Sequence, residues 1–141
     1  MRERFRIWYT TDVRWGEMDS FGHLNNTRYL AFCESARIRY FDEAGFFDYY
    51  ETEQEAPALV TTTCNFRVQV RYPEVLEVGT RIVKVGRSSF THEYGIFRRG
   101  EDVLVADATS VCAWIDYGTE TSVPLPEALR ARIREIDPDV P

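Results

Sequence analysis

Lysine is almost missing from this chain. Lys84 is the only one and the other sixteen cations are arginines, so a contact with phosphate would come from a planar guanidinium fork rather than an ammonium point charge. Histidine is equally scarce, with His23 and His92 the whole supply, and a zinc site of the usual kind would have to draw on carboxylates or cysteines. The cysteines, Cys33, Cys64 and Cys112, are odd in number, widely separated and contain no Cys-x-x-Cys pair. That pattern opposes a disulfide framework, a zinc ribbon and a redox motif. They read as reduced, buried thiols, and no metal is expected.

Long apolar runs are absent as well. None approaches the roughly 18 residues that a membrane span requires, and the opening Met-Arg-Glu-Arg-Phe-Arg lacks the apolar centre of a secretion signal. A cytoplasmic protein without a membrane partner is expected. Positive charge does not accumulate: the formal net charge is −6 and the pI near 5.0, against the clustered cations that hold a nucleic acid. The chain also has no Gly-x-Ser-x-Gly elbow, no Gly-x-Gly-x-x-Gly turn, no phosphate loop and no His-Glu-x-x-His. The commoner hydrolase and dinucleotide classes fall away, and no cofactor of its own is expected.

What remains is a chain of 141 residues, 44% hydrophobic and 14% aromatic, enough for one packed core and one domain over residues 1–141. Phe5, Ile7 and Tyr9, then Val13 and Trp15, alternate with polar neighbours and predict an opening strand with one buried face. Gly16 to Asn26 is polar and turn-rich and predicts an irregular loop. From Thr27 to Ala44 the period changes. Tyr29, Cys33, Ala36, Tyr40 and Ala44 recur at helical spacing, Arg28, Ser35, Arg39 and Asp42 occupy the other face, and Gly45 stands where a C-terminal cap belongs.

After a loop holding Gln54, Glu55 and Pro57, four β runs are expected: Leu59 to Val70, Thr80 to Val85, Ser89 to Arg98 and Val103 to Ile115. They are separated by Tyr72-Pro73, Gly86 and Arg99-Gly100-Glu101-Asp102. Pro124 and Pro126 introduce a last helix, Glu127 to Ile136, which Pro138 ends. One long helix and an antiparallel sheet have to bury each other, so the fold class is α+β, with the sheet curled around the helix.

The chemistry is concentrated in Asp19-x-x-Gly22-His23-x-Asn25-Asn26-x-x-Tyr29, which runs directly into the long helix. An acid, a histidine and two asparagines lie beside a helix start, where free backbone N–H groups and the helix dipole favour negative charge. Such a place can stabilise an oxyanion. Each residue alone also has an ordinary reading: an asparagine as N-cap, Gly22 as a turn glycine, Asp19 as a solvated loop acid. His92 and Tyr94, on one face of a strand, read as packed residues with no catalytic role.

This segment resembles the signature of hotdog thioesterases related to 4-hydroxybenzoyl-CoA thioesterase and the short acyl-CoA thioesterases, and the element order resembles a hotdog domain over nearly the whole chain. The resemblance implies a sheet of about five strands around one central helix and hydrolysis of an acyl-CoA, fatty or aryl, to free acid and coenzyme A. It implies Asp19 as the catalytic carboxylate, acting as nucleophile or as base for a water. Backbone N–H groups near Asn26 would hold the carbonyl oxygen, while His23 and Asn25 position groups around it and Gly22 and Leu24 contact the substrate. Arg87, Ser88 and Ser89 would meet the coenzyme A phosphates. It also implies a homodimer or homotetramer, because relatives close the open sheet edge by pairing across subunits. A non-catalytic acyl-thioester-binding protein and a hotdog dehydratase or hydratase stand as the rival readings.

Overall fold

The computed structural model describes all 141 residues. A short 3-10 turn at Arg2–Arg4 leads into strand β1 (Ile7–Asp12), a second turn at Trp15–Glu17 and a polar loop into helix α1 (Asn26–Ala44). Helix α2 (Phe46–Glu53) follows at once, then strands β2 (Glu55–Phe66), β3 (Val75–Val85), β4 (Ser89–Arg98), β5 (Leu104–Asp116) and the short β6 (Thr121–Ser122). Helix α3 (Glu127–Ile136) ends the chain. The sheet is antiparallel in the order β1-β3-β4-β5-β2, with β6 against the end of β5. It is the α+β hotdog arrangement, one long helix embraced by a curled sheet. No helix is long and apolar enough to cross a membrane.

Helix α1 is held by the stripe its spacing predicts. Tyr29, Cys33, Ala36, Tyr40 and Ala44 are all buried against the sheet, joined by Phe32, Phe41 and Arg37, while Leu30 beside them is exposed. A buried charge needs partners. The Arg37 guanidinium donates to the Tyr94 hydroxyl at 3.0 Å, and that hydroxyl lies 2.7 Å from Ser110 Oγ. Further along, His92 is fully buried among Tyr40, Phe41, Phe90 and Tyr94, with Nδ1 3.0 Å from Thr80 Oγ1 and Nε2 without a partner. It is a packed residue, as its strand position suggests.

Gly45 caps α1 in the left-handed region at φ 78°, but the chain does not then enter a loop. Phe46–Glu53 forms α2, because Phe46 stacks on Phe41 and meets Trp114 edge-on. Tertiary burial of an aromatic therefore decides a segment that has no clear local period. β2 begins and ends about four residues earlier than the apolar run, and β3 begins at Val75 rather than Thr80. The early start of β2 includes Pro57, which an edge strand tolerates because its missing N–H faces no neighbour. The opening alternation is broken too: Trp15 sits in the second 3-10 turn and is 76% exposed. Cys33 and Cys112 are buried and Cys64 is half-buried, all as free thiols.

Phe5 packs on the outer face of the sheet over the Gly79–Gly95 cross-strand pair. A Cβ at Gly79 would lie 2.6 Å from Phe5 Cγ, and one at Gly95 would lie 2.8 Å from Phe5 Cε2, so both glycines are required by that ring. At the other end of the barrel Asp137 accepts from the Tyr40 hydroxyl at 2.7 Å and from the Ile82 N–H at 2.8 Å. This ties the C-terminal segment to α1 and to β3, where β1 no longer covers it.

Candidate active site

The loop from Met18 to Leu24 is pinned at both ends. Met18 and Leu24 form a single antiparallel bridge, the Leu24 N–H donates to the Val70 carbonyl at 2.7 Å, and the Asn25 N–H donates to the Glu17 carbonyl at 2.9 Å. Leu24 itself is buried in the core. Gly22 turns the tip in the left-handed region at φ 79°, a conformation that side-chain-bearing residues resist. The open space around it, with Arg71 Nη1 3.8 Å from where a Cβ would stand, makes backbone conformation the reason for glycine.

Inside this loop the Asp19 N–H donates to the His23 carbonyl at 2.7 Å. Asp19 Oδ1 accepts from the Phe21 N–H at 2.8 Å and the His23 N–H at 3.1 Å. Those two donors, His23 first and Phe21 second, hold the carboxyl below the usual carboxylate range, since bonds to the charged form favour it. Oδ2 has no donor within the chain. The side chain is thus fixed through one oxygen with the other available.

Asn25 is the N-cap of α1. Its Oδ1 accepts from the Thr27 N–H at 3.0 Å and from Thr27 Oγ1 at 2.9 Å, and its carbonyl accepts from the Arg28 N–H. Its side-chain oxygen is therefore engaged in the helix start. The Asn26 N–H at the first position of the helix has no acceptor within the chain. Asp19, His23, Leu24, Asn25 and Asn26 line a single cavity of about 390 Å³. An ionised carboxylate and a free helix-start N–H on one cavity are the two components that attack on a carbonyl requires.

The opposite wall was not expected from sequence. It is the segment from Phe66 to Gln69 at the end of β2, with the Phe66 ring edge-on to Tyr29 at 5.1 Å. Arg67 is anchored by its Nε to Asp107, whose other oxygen accepts from Asn65 Nδ2 at 3.0 Å. The alternating sequence of β2 carries no sign that its last residues border a site, and only the cross-strand carboxylate Asp107 could have hinted at a fixed cation there.

Arg87, Ser88 and Ser89 do not join this cavity within the chain. They form the β3–β4 turn, closed by the Gly86 N–H on the Ser89 carbonyl at 2.7 Å and bound by Arg130, which donates to the carbonyls of Gly86 and Arg87 at 2.7 and 2.8 Å. Ser89 is level with Ala113 of β5, whereas Phe66 beside Asp19 is level with Ala106. Seven residues of strand separate them, about 23 Å at 3.3 Å each. No three His, Cys, Asp or Glu side chains come together as a group that could hold a metal ion.

The pinned loop, the helix start and the curled sheet are matched by a family model described as thioesterase-like superfamily, over residues 13–133. The chain belongs to that superfamily. A thioesterase from Thermus thermophilus, solved with coenzyme A and zinc, is 31% identical and superposes with a TM-score of 0.84, covering 96% of this chain and 97% of that one. Long-chain acyl-CoA thioesterase FadM of Escherichia coli is 26% identical over 124 residues, 88% of this chain and 94% of its own. The uncharacterized protein YsmA of Bacillus subtilis is 31% identical over 90 residues, 64% of this chain. That match spans 60% of YsmA's length.

Proposed function

We propose that this chain hydrolyses an acyl-CoA to the free acid and coenzyme A, with the Asp19 carboxylate as the reacting group. The observation that carries the reading is the clamped Oδ1 of Asp19, with Oδ2 free, on one cavity with the unengaged Asn26 N–H. The carboxylate either adds to the thioester carbonyl itself or takes a proton from the water that adds. In both routes the carbonyl oxygen gains charge, the C–S bond breaks, and the sulfur leaves as coenzyme A thiolate or thiol; in the first route water then cleaves the mixed anhydride left on Asp19, which releases the free acid and restores the carboxylate. The Asn26 N–H and the dipole at the start of α1 meet that oxygen charge. His23 shapes the loop through its backbone, and its ring borders the reacting centre.

The active unit is a homodimer made through β2. This strand forms one edge of the sheet, twelve residues long, and exposes Leu59 (50%) and Val60 (64%), a combination that an isolated chain leaves open to association. Arg87 with Ser88 and Ser89 meets the coenzyme phosphates, remote from the carbonyl. Antiparallel pairing at the edge brings the Arg87 turn of the partner subunit toward the Asp19 end, which accounts for a phosphate site far from the carboxylate in one chain.

Asp19→Asn tests the chemistry. It removes the charge and keeps the shape and the Oδ1 acceptor, so thiol release from acyl-CoA is expected to fall at least about a hundredfold with the melting temperature unchanged. Retention of half the wild-type rate sinks the assignment. A non-catalytic binder would hold acyl-CoA and release no thiol even before substitution.

A further inference from the structure

Tyr29 is 4% exposed and packs in the core with Val13, Leu24, Phe32 and Cys33, yet it is also a wall of the Asp19 cavity. Its ring is fixed there by the edge-on contact with Phe66. The hydroxyl at the end of that ring has no donor or acceptor within the chain. The other two buried tyrosines spend theirs, Tyr40 on Asp137 and Tyr94 on Arg37 and Ser110, as a buried hydroxyl normally does. Nor is the Tyr29 hydroxyl sealed in the core: the sealed side-chain atoms without a partner are Arg81 Nε and His92 Nε2. The small exposed part of Tyr29 therefore includes its hydroxyl, and the space it meets is the Asp19 cavity.

Helix geometry says which way the side chain leans. Side chains on an α-helix point toward its N-terminus and cover the turn before their own Cα. For Tyr29 that turn begins at Asn26, three positions earlier and so on the same face. The Asn26 N–H, without an acceptor in the chain, is the helix-start donor of this cavity. Two unengaged donors, one from the backbone and one from a side chain, thus share one cavity with the Asp19 carboxylate. A single N–H leaves one lone pair of a developing oxyanion unmet, and a second fixed donor supplies it. Burial pushes the Tyr29 hydroxyl above the ordinary tyrosine range, so it stays protonated and acts as a donor rather than as a rival base.

We propose that the Tyr29 hydroxyl is a second oxyanion donor, bonded to the thioester carbonyl oxygen together with the Asn26 N–H. As Asp19, or the water it activates, adds to the carbonyl carbon, charge builds on that oxygen and both hydrogen bonds strengthen. When the C–S bond breaks, the charge returns to the carbonyl and then to the departing sulfur, and the hydroxyl keeps its proton throughout. The inference rests on the hydrolase reading and adds a catalytic residue to it.

Tyr29→Phe removes one oxygen and keeps the ring that packs on Phe66 and the core. The melting temperature is expected to stay unchanged, because that oxygen bonds nothing in the chain. For acyl-CoA, kcat is expected to fall about a hundredfold, the scale of one lost oxyanion donor, with the Michaelis constant little changed. Two uncleavable analogues isolate the carbonyl: an acyl-CoA with a methylene in place of the sulfur, which keeps the carbonyl, and an S-alkyl-CoA thioether, which has none. In titration calorimetry the variant is expected to bind the ketone about five- to tenfold more weakly than wild type, the scale of one neutral hydrogen bond, and the thioether equally well.

Half the wild-type kcat or more in Tyr29→Phe overturns the proposal. A raised Michaelis constant at unchanged kcat, or equal weakening on ketone and thioether, also overturns it, since either puts the hydroxyl on another part of the substrate. So does a lowered melting temperature or a failure to fold, which would mean that the hydroxyl is spent within the protein. Failure of the underlying hydrolase reading shows separately, as undiminished thiol release by Asp19→Asn.

Discussion

Acid is expected to weaken this fold through His92 in particular. The imidazole is fully buried, its Nδ1 faces Thr80 Oγ1 and its Nε2 has no acceptor that a second proton could reach. Burial, with the nearby Arg37 guanidinium as the second cause, pushes its pKa from 6.5 down to about 3. In the unfolded chain the ring titrates normally, so below pH 6.5 the unfolded state binds a proton that the folded state refuses. Stability therefore falls as pH drops from about 6.5 to about 3, by up to 1.36 kcal/mol per pH unit. Between pH 7 and pH 4 the loss from this group comes to about 3 kcal/mol, a large share of a domain's ordinary stability. Asp137 is reached from the same cluster through Tyr40, so its titration must be held constant. Comparing wild type with His92→Asn does this, and the amide retains a polar atom toward Thr80. Urea unfolding across this pH range is expected to show the variant less stable at pH 7, because a ring-sized space opens, yet with a pH slope flatter by about 3 kcal/mol over the interval. An unchanged slope would refute the reasoning.

Three other outcomes are expected. Gly95→Ala drives a methyl group into the rings of Phe5 and Phe97, 2.8 and 2.9 Å from their nearest atoms, and lowers unfolding free energy by about 1–3 kcal/mol in urea; an unaltered midpoint would mean that Phe5 does not occupy this face. Arg87→Glu raises the Michaelis constant for acyl-CoA roughly tenfold, less at high salt, and leaves hydrolysis of a short thioester lacking the nucleotide unaffected; equal loss on both substrates would assign Arg87 to the fold. Because the His23 and Phe21 N–H groups hold Asp19 below the usual carboxylate range, kcat/KM is expected to stay level on acidification until pH falls below about 3.8, the ordinary value; an acid limb well above it would exclude an ionised Asp19 as the reacting group.

Where a residue's neighbours in sequence are also its neighbours in space, the sequence was readable. The α1 stripe, the Gly45 cap and the limits of β4 and α3 follow from period, cap and proline chemistry, all decided within a few residues. Helix α2 was not readable that way, because Phe46 is placed by Phe41, Phe90 and Trp114, the last of them 68 positions on in the sequence numbering. The early starts of β2 and β3 have the same origin. Glu55 pairs with Asp116 and Val75 with Asp12, so their ladders are extended by partners whose own patterns say nothing about those positions. The exposure of Trp15 reflects the 3-10 turn that the Arg14 and Glu17 backbone bond imposes.

The candidate site divides along the same line, and the division bears on how the molecule works. Asp19, Gly22, His23, Asn25 and Asn26 fall within eight consecutive residues, and every bond that orients Asp19 comes from within four residues of it. A local loop can therefore prepare the carboxylate unaided. What it cannot supply locally is the rest of the substrate's surroundings: the Phe66–Gln69 wall comes from a distant part of the sequence, and the Arg87 turn lies at the far end of the sheet. A carboxylate needs a few fixed donors to stay ionised, whereas an acyl chain and a coenzyme need extended surface, which one helix and one sheet expose only at an edge. β2 is one of the two edges of the sheet, and under the proposed reading the reacting group is encoded in one short segment while recognition of both ends of the substrate falls to what pairs with that edge.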